Sequence, residues 1–235
     1  LVIGDNVLDR WMLSRLQTLK QNVAYEMSAY RLFNVVPKLF DFIEDLTNWY
    51  IRLNRARFWE SEMGDDKLSA FGTLYRVMIE ISKVMAPFAP FLSDYLYRQL
   101  STLSGLKPDS ESVHLCRFPE FEAARAVPEL EIAVDRMQQV ILLGRQKREA
   151  VKIGLRTPLS KITIIKSDPS LLEQMKSLES YVREELNVRS VEYATDESSY
   201  IDLAAKPNFP LLGKRLGKRM REYQVKIAQM TFDEI

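Results

Sequence analysis

Apolar residues recur at alternating three- and four-residue steps through the first hundred residues, which predicts a series of amphipathic helices. The longest such pattern runs from about Ala29 to Phe58. Its apolar face contains Leu32, Val36, Leu39, Ile43, Leu46, Tyr50 and Leu53. A polar face on roughly the opposite side contains Asn34, Lys38, Asp41, Asp45, Asn48, Arg52 and Arg55. Pro37 lies near the beginning of this pattern and predicts either a kink or a late start of the helix.

Three shorter helical patterns accompany the long one. They run from Val7 to about Tyr25, from Leu68 to about Met85, and from about Pro90 to Ser101. Asn6 directly precedes the first of them and is a residue type that caps helix N-termini well. Pro87 and Pro90 cannot both lie inside one regular helix, so they separate the last two patterns. Four helices of this length predict an antiparallel helical bundle.

The pattern changes at residues 104–110, where Ser, Gly, Pro and Asp give the segment the composition of a linker. After it we predict an extended segment at 113–118, helices at 130–150, 168–186 and from Pro210, and strands at 162–165, 188–194 and 200–204. A strand, a helix and a strand in succession indicate a small α/β unit. The predicted fold class is mainly α: a helical bundle over residues 1–105, a linker or extended segment over 106–127, and a C-terminal α/β region over 128–235.

Composition and charge exclude several classes of protein. The chain has 235 residues, 46% of them hydrophobic, and a formal net charge of +1. It contains no run of eighteen or more apolar residues, so no membrane span is predicted. Cys116 is the single cysteine, which rules out an intrachain disulfide and favours a reducing compartment such as the cytoplasm. His114 and Cys116 lie on opposite faces of an extended segment, which favours a structural pair over a nucleophile and its base.

The stretch from Asn48 to Glu60 combines amide, guanidinium and aromatic side chains. Such groups read unpaired RNA bases, because amides and guanidinium forks bind base edges and aromatic planes stack on bases. The candidate residues are Asn48, Trp49, Arg52, Arg55, Arg57 and Trp59. The alternative is a solvated polar face with its aromatic residues in the core, and the residues alone leave both interpretations open.

Two further basic groups lie in the second half of the chain. The first contains Arg145, Lys147, Arg148, Lys152, Arg156 and Lys161. The second contains Lys214, Arg215, Lys218, Arg219, Arg221 and Lys226. Acidic residues collect elsewhere, at 60–66, 109–131 and 196–202. This segregation suits a protein with one side facing a polyanion, although a charge run can also be a solvated surface.

Motifs of catalysis are absent from the sequence. It contains no phosphate-binding G-x-x-x-x-G-K-[ST], no G-x-G-x-x-G, no H-E-x-x-H and no G-x-S-x-G. One His and one Cys cannot build a zinc site of the usual kind. We therefore predict no catalytic residue, metal site or cofactor within this chain.

Three segments resemble the anticodon-binding domain of class I aminoacyl-tRNA synthetases. They are Leu8–Leu16, Asn48–Trp59 and Ala86–Phe91, the last reading Ala-Pro-Phe-Ala-Pro-Phe. Arg52–Trp59, Ala205–Phe209 and Leu212–Arg215 are similar to the isoleucyl-tRNA synthetases of this class, in their eukaryotic cytoplasmic form. The HIGH and KMSKS signatures of the family are absent, so the chain is expected to be a fragment that follows the catalytic core.

The resemblance implies a function divided between this chain and its parent. The parent would be an isoleucine–tRNA ligase of the cytoplasm that uses ATP, with Mg, in its catalytic core to attach isoleucine to tRNA(Ile). The fragment would bind the tRNA through the residues from Asn48 to Trp59 and through Arg145, Lys147, Arg148, Lys152 and Arg156. In the related methionine enzymes an Asn and an Arg four residues later contact the anticodon, which Asn48 and Arg52 match in spacing. Other synthetases in an assembly are a second expected class of partner, and a non-enzymatic scaffold for protein binding is the alternative function.

Overall fold

The computed structural model describes residues 4–103, 110–196, 207–210, 212 and 217–228. These residues form two compact units, Leu1–Arg136 and Met137–Ile235. The helices of the first unit are α1 (Val7–Ser28), α2 (Val35–Glu44), α3 (Arg55–Trp59), α4 (Asp65–Met85) and α5 (Pro90–Leu103), and α6 (Pro128–Ala150) begins in it. The structure thus confirms a mainly helical fold, with a small α/β unit after the helices.

Helix α1 is the central element of the first unit. The Asn6 side chain accepts a hydrogen bond of 2.9 Å from the backbone N–H of Leu8, so the predicted N-cap is confirmed. Helix α1 packs against α2 and α4, and α4 packs against α5. Its buried apolar residues are Leu8, Trp11, Met12, Leu13, Leu16, Leu19 and Val23. They form the core on which the other helices rest.

The long helical pattern after Ala29 is less regular than predicted. A 3₁₀ turn (Leu32–Asn34) precedes α2, which begins at Val35 with Pro37 in its first turn, so the late start is confirmed. A π-helical segment (Asp45–Ile51) follows α2, and a turn at Asn54 separates it from α3. Leu39, Leu46 and Tyr50 are buried as predicted, whereas Leu32 and Val36 are exposed. The prediction fails for these two because the pattern assumed one helix from Ala29 onward.

Asp45 is a second departure from the predicted polar face. Its side chain is buried rather than exposed and pairs with Arg15 of α1, with an N–O distance of 2.8 Å. The i→i+5 turns of a π-helix rotate side chains by less per residue than an α-helix does. Asp45 is the member of the predicted polar face that becomes buried in this segment, while Leu46 and Tyr50 keep their predicted buried positions.

The segment from Ser110 to Val127 packs against α1. The Ser14 hydroxyl donates to the Glu131 carboxylate and accepts from the Val127 N–H at 2.8 Å. Lys20 is buried and lies 2.7 Å from Glu80. The domain limits at residues 105 and 128 remain predictions about independent folding.

The predicted extended segment at 113–118 is only partly extended. Residues Val113–Leu115 form a 3₁₀ turn, because the Ser112 hydroxyl accepts from the His114 N–H and so caps the turn. The chain becomes extended only from Cys116 onward. His114 is exposed, and the Cys116 thiol donates to the Ser112 carbonyl oxygen at 3.7 Å.

The second unit contains a parallel β–α–β arrangement. Its elements are β1 (Leu159–Ile165), α7 (Pro169–Lys176), α8 (Glu179–Leu186), β2 (Val188–Ala194) and α9 (Met220–Ala228). Leu159 pairs with Val188 and Ile165 with Ala194. The helix predicted over 168–186 is two helices, since residues 177 and 178 form a turn. The strand predicted at 200–204 lies outside the described residues.

Candidate nucleic-acid interface

A buried carboxylate fixes the stretch 48–59 to the helical unit. Asp9 is fully buried and accepts four hydrogen bonds from three side chains. Tyr50 Oη donates at 2.7 Å, Ser69 Oγ at 2.8 Å, and the two Nη atoms of Arg57 at 2.9 Å each. The apolar neighbours of Asp9 in α1 give no sign of this role, which therefore could not be predicted from the sequence. Asp9 therefore connects α1, the π-helical segment, α3 and α4.

The cluster keeps Tyr50 and Arg57 in their protonated states. Burial raises the pKa of Tyr50 above its usual value, and the negative charge of Asp9 raises it further, so the phenol stays protonated and donates. Burial lowers the pKa of Arg57, but hydrogen bonds and charges from Asp9 and Asp66 outweigh that effect and leave it above its usual value. Arg57 is therefore a permanent cation whose charge is already paired within the fold.

Two of the six predicted RNA-contacting residues in this stretch have structural roles. Arg57 binds Asp9, Asp66 and the Asn54 side chain, and its own side chain is only 13% exposed. Trp49 is buried in the core. An RNA contact by either residue would require it to give up these interactions, so both leave the proposed set.

The other four residues expose polar and aromatic side chains to solvent. Asn48, Arg52 and Arg55 are exposed, and Trp59 is 74% exposed. The Arg55 guanidinium carbon lies 5.7 Å from the centre of the Trp59 ring, a cation–π distance. We call these four residues the α3 face: Arg55 and Trp59 lie in α3, and Asn48 and Arg52 precede it. It presents amide, guanidinium and indole groups on one short segment, which Asp9 holds in place through its hydrogen bonds with Tyr50 and Arg57.

The first basic group of the second unit also contains some residues with structural roles and some that are exposed. Arg148 is 5% exposed and donates to the carbonyl oxygens of Leu186, Gly154 and Thr157. Arg145 forms an ion pair with Glu185. Three members of the predicted set remain exposed: Lys147, Lys152 and Arg156. Arg148 closes the turn before β1 instead of facing a ligand.

The last basic group is described only in part. Lys214 and Arg215 lie outside the described residues, as does the side chain of Lys218. Arg219 lies over the Tyr223 ring at 5.4 Å, and Lys226 pairs with Glu222 at 3.2 Å. Glu222 of α9 also lies 3.8 Å from Arg219, so this one carboxylate partly neutralises both charges.

The described residues contain neither a metal site nor a membrane span. Among the described residues, no group of three or more His, Cys, Asp or Glu side chains is arranged to hold a metal ion. Within the same part of the chain, no helix combines the length and apolar character needed to cross a membrane.

The chain is similar to isoleucine–tRNA ligases over nearly its whole length. Isoleucine–tRNA ligase of Bdellovibrio bacteriovorus is 45% identical over 232 residues, which is 99% of this chain and 22% of the relative. The Chlamydia trachomatis isoleucine–tRNA ligase is 40% identical over 98% of this chain and 22% of that relative. The cytoplasmic isoleucine–tRNA ligase of Saccharomyces cerevisiae is 39% identical over 100% of this chain and 22% of its own length. The chain thus spans about a fifth of these relatives.

A family of tRNA-binding domains matches most of the sequence. The match covers residues 9–164, from the buried Asp9 through the α3 face to β1, and its description is anticodon-binding domain of tRNA ligase. This range is well over half of the 235 residues. The chain belongs to the family of anticodon-binding domains of tRNA ligases.

Proposed function

We propose that this chain is the tRNA-binding part of an isoleucine–tRNA ligase, and that its helical unit contacts RNA through the α3 face. The observation that carries this proposal is the family match over residues 9–164. The names of the relatives, which align along 98–100% of the chain in the three cases above, supply the amino acid and the substrate tRNA(Ile). Lys147, Lys152 and Arg156 are proposed as additional phosphate contacts of the second unit.

The chemical step belongs to other parts of the parent protein under this proposal. ATP, with Mg, would activate isoleucine in a catalytic core that lies outside this chain. The residues of the α3 face contribute binding and orientation, which lower the barrier of a transfer reaction by fixing its substrate. The cytoplasmic location and an association with other synthetases are further proposals. The eukaryotic subtype also remains a prediction, because bacterial and yeast relatives match nearly the same span.

The groups of the α3 face suit bases and phosphates in different ways. A guanidinium such as Arg52 or Arg55 can donate two parallel hydrogen bonds to a base edge or to a phosphate. The amide of Asn48 both donates and accepts, which matches the mixed edges of unpaired bases. The exposed ring of Trp59 offers a plane for stacking, since every base has a π face.

Replacing Arg55 with Ala is expected to weaken tRNA(Ile) binding by about 1–3 kcal/mol if Arg55 reads a base, because one bidentate contact is lost. The loss would then be smaller for a tRNA with an altered anticodon. If Arg55 binds a phosphate, both tRNAs lose affinity equally and the salt dependence becomes shallower. Filter binding or fluorescence anisotropy over a salt series measures both quantities, with Arg52→Ala as a second variant.

Arg98→Ala is the matched control for these variants. Arg98 is also an exposed arginine of the helical unit, but it lies in α5 and pairs with Asp94 at 2.7 Å. Its replacement should leave RNA affinity close to that of the wild type. Equal affinities for wild type, Arg52→Ala and Arg55→Ala on both tRNAs would remove the α3 face from the proposal. If the wild-type chain does not bind tRNA measurably, the alternative function, a scaffold that binds a protein partner, is favoured instead.

A further inference from the structure

The corner between α1 and α2 contains a bulky residue in a backbone conformation that usually belongs to glycine. Tyr30 has φ 57°, in the left-handed region. The Tyr30 N–H bonds the Met27 carbonyl at 3.1 Å, and the Arg31 N–H bonds the Glu26 carbonyl at 2.9 Å. These two bonds define a Schellman motif with Tyr30 at the position after the cap, where glycine is the common residue.

The side chain of Tyr30 is not buried, so apolar burial contributes no stabilisation that would offset the cost of this backbone conformation. Its residue is 91% exposed. A non-glycine residue held in the left-handed region is uncommon, and such strain concentrates at functional sites. The exposed ring is therefore the feature of this corner that needs an explanation.

Further aromatic rings lie within five residues of Tyr30 in sequence. Phe33, in the 3₁₀ turn, is 74% exposed, and Tyr25, in the last turn of α1, is also exposed. The Arg31 guanidinium carbon lies 4.9 Å from the centre of the Tyr25 ring. The corner therefore alternates exposed aromatic rings with a guanidinium plane.

Glu26 orients two polar side chains of the corner by accepting their hydrogen bonds. Its Oε2 accepts hydrogen bonds from Arg31 Nε at 2.7 Å and from Asn34 Nδ2 at 3.0 Å. The hydrogen bond from Arg31, followed by that from Asn34, lowers the pKa of Glu26, so the carboxylate stays ionised. Glu26 is also the only acid between residues 25 and 38, where Arg31 and Lys38 are the bases. The corner is thus preorganised and carries no excess negative charge that would repel a phosphate.

We propose that the exposed rings of Tyr30 and Phe33, with the Arg31 guanidinium that lies over the neighbouring Tyr25 ring, form a stacking platform for unpaired bases of an RNA loop. The platform rests on the proposed tRNA binding and adds a second contact region to the same helical unit. Its chemistry favours RNA over a protein partner, because exposed rings interleaved with a fixed guanidinium stack on bases and attract phosphates, whereas a protein groove needs a continuous apolar surface.

Three substitutions of Tyr30 separate the ring from the backbone. Tyr30→Gly and Tyr30→Asn remove the ring but suit the left-handed conformation, whereas Tyr30→Phe keeps the ring and loses only the hydroxyl. The 235-residue chain is titrated with a stem-loop RNA that carries the anticodon loop of tRNA(Ile), and with a fully paired RNA of equal length. Loss of one stacked base weakens binding by about 5- to 150-fold. We expect this loss for Tyr30→Gly and Tyr30→Asn on the stem-loop alone.

Tyr30→Phe should bind the stem-loop as the wild type does. The melting temperature of Tyr30→Gly should equal or exceed that of the wild type, because glycine relieves the left-handed conformation. A fluorescent 2-aminopurine in the loop should be quenched by the wild type and by Tyr30→Phe, and much less by Tyr30→Gly.

The outcomes distinguish this inference from the proposed function. If Arg55→Ala weakens stem-loop binding but Tyr30→Gly and Tyr30→Asn bind like the wild type, tRNA binding stands and the platform is wrong. If the wild-type chain binds the stem-loop no better than the paired RNA, loop recognition by this chain is wrong and the platform falls with it. Equal losses on both RNAs for Tyr30→Gly would also overturn the platform, since paired bases are not available for stacking.

Discussion

Replacing Asp9 with Ala is expected to lower the free energy of unfolding of the helical unit by about 3–5 kcal/mol, the usual cost of removing one partner from a buried ion pair. Arg57 would lose two hydrogen bonds of 2.9 Å, and the buried hydroxyls of Tyr50 and Ser69 would lose an acceptor. Urea denaturation followed by circular dichroism measures the change.

Asp66→Ala is the matched control for the Asp9 variant. Asp66 also pairs with Arg57, at 2.7 Å, but its side chain is 59% exposed. An exposed pair contributes at most about 1 kcal/mol, so this variant should unfold close to the wild type. A similar loss of stability for Asp9→Ala and Asp66→Ala would show that the burial of Asp9 does not determine how much it contributes to the free energy of unfolding. The double variant Asp9→Leu with Arg57→Met should recover much of the lost stability, because it removes both charges together.

Replacing Arg148 with Ala is expected to lower the free energy of unfolding of the second unit by about 3 kcal/mol or more. The guanidinium donates to three backbone carbonyl oxygens, of Leu186, Gly154 and Thr157. Each hydrogen bond from a charged donor contributes about 1.5–3 kcal/mol, and a buried carbonyl left without a donor adds a desolvation cost. The hydrogen exchange rates of the β1 and β2 amides report the change locally.

Lys147→Ala provides the comparison one residue away. Lys147 is exposed, so its replacement should change stability by less than about 0.5 kcal/mol. If RNA binding by the second unit depends on this group, Lys147→Ala should weaken RNA binding without affecting stability. The reverse pattern, a stable Arg148→Ala variant and an unstable Lys147→Ala variant, would contradict the assignment of these two neighbours.

Sequence patterns predicted elements whose determinants are local. Asn6 caps α1, and Asp168 caps α7 by accepting from the Ser170 N–H at 2.9 Å. The limits of β2 agree with the prediction, because the apolar residues of this strand follow the turn residue Asn187 directly. Such signals act over a few residues, so one stretch of sequence is enough to find them.

The rest depends on partners that are distant in sequence. Arg57 and Arg55 are two residues apart and chemically identical, yet Arg57 reaches Asp9, which precedes it by 48 residues, while Arg55 faces solvent. Periodicity predicts which side of a helix a residue faces. It does not predict which acidic residue of a distant element will contact it there. The π-helical segment was missed for a related reason, since no residue type marks a change from i→i+4 to i→i+5 bonding. The left-handed conformation of Tyr30 could not be predicted either, because a tyrosine after a helix does not indicate such a conformation.

The π-helical segment also has a consequence for changes in chain length. A stretch with i→i+5 bonds holds more residues per turn than an α-helix, so it can lose one residue and still close a continuous helix with i→i+4 bonds. Because the seven π-helical residues turn through about the same angle as one residue fewer in an α-helix, the residues after the deletion would keep nearly the same direction. Arg57 would therefore still face Asp9. Between Asp45 and Ile51 the chain can therefore lose one residue with little change to α3, whereas the same deletion in α2 would rotate every later residue by about 100°.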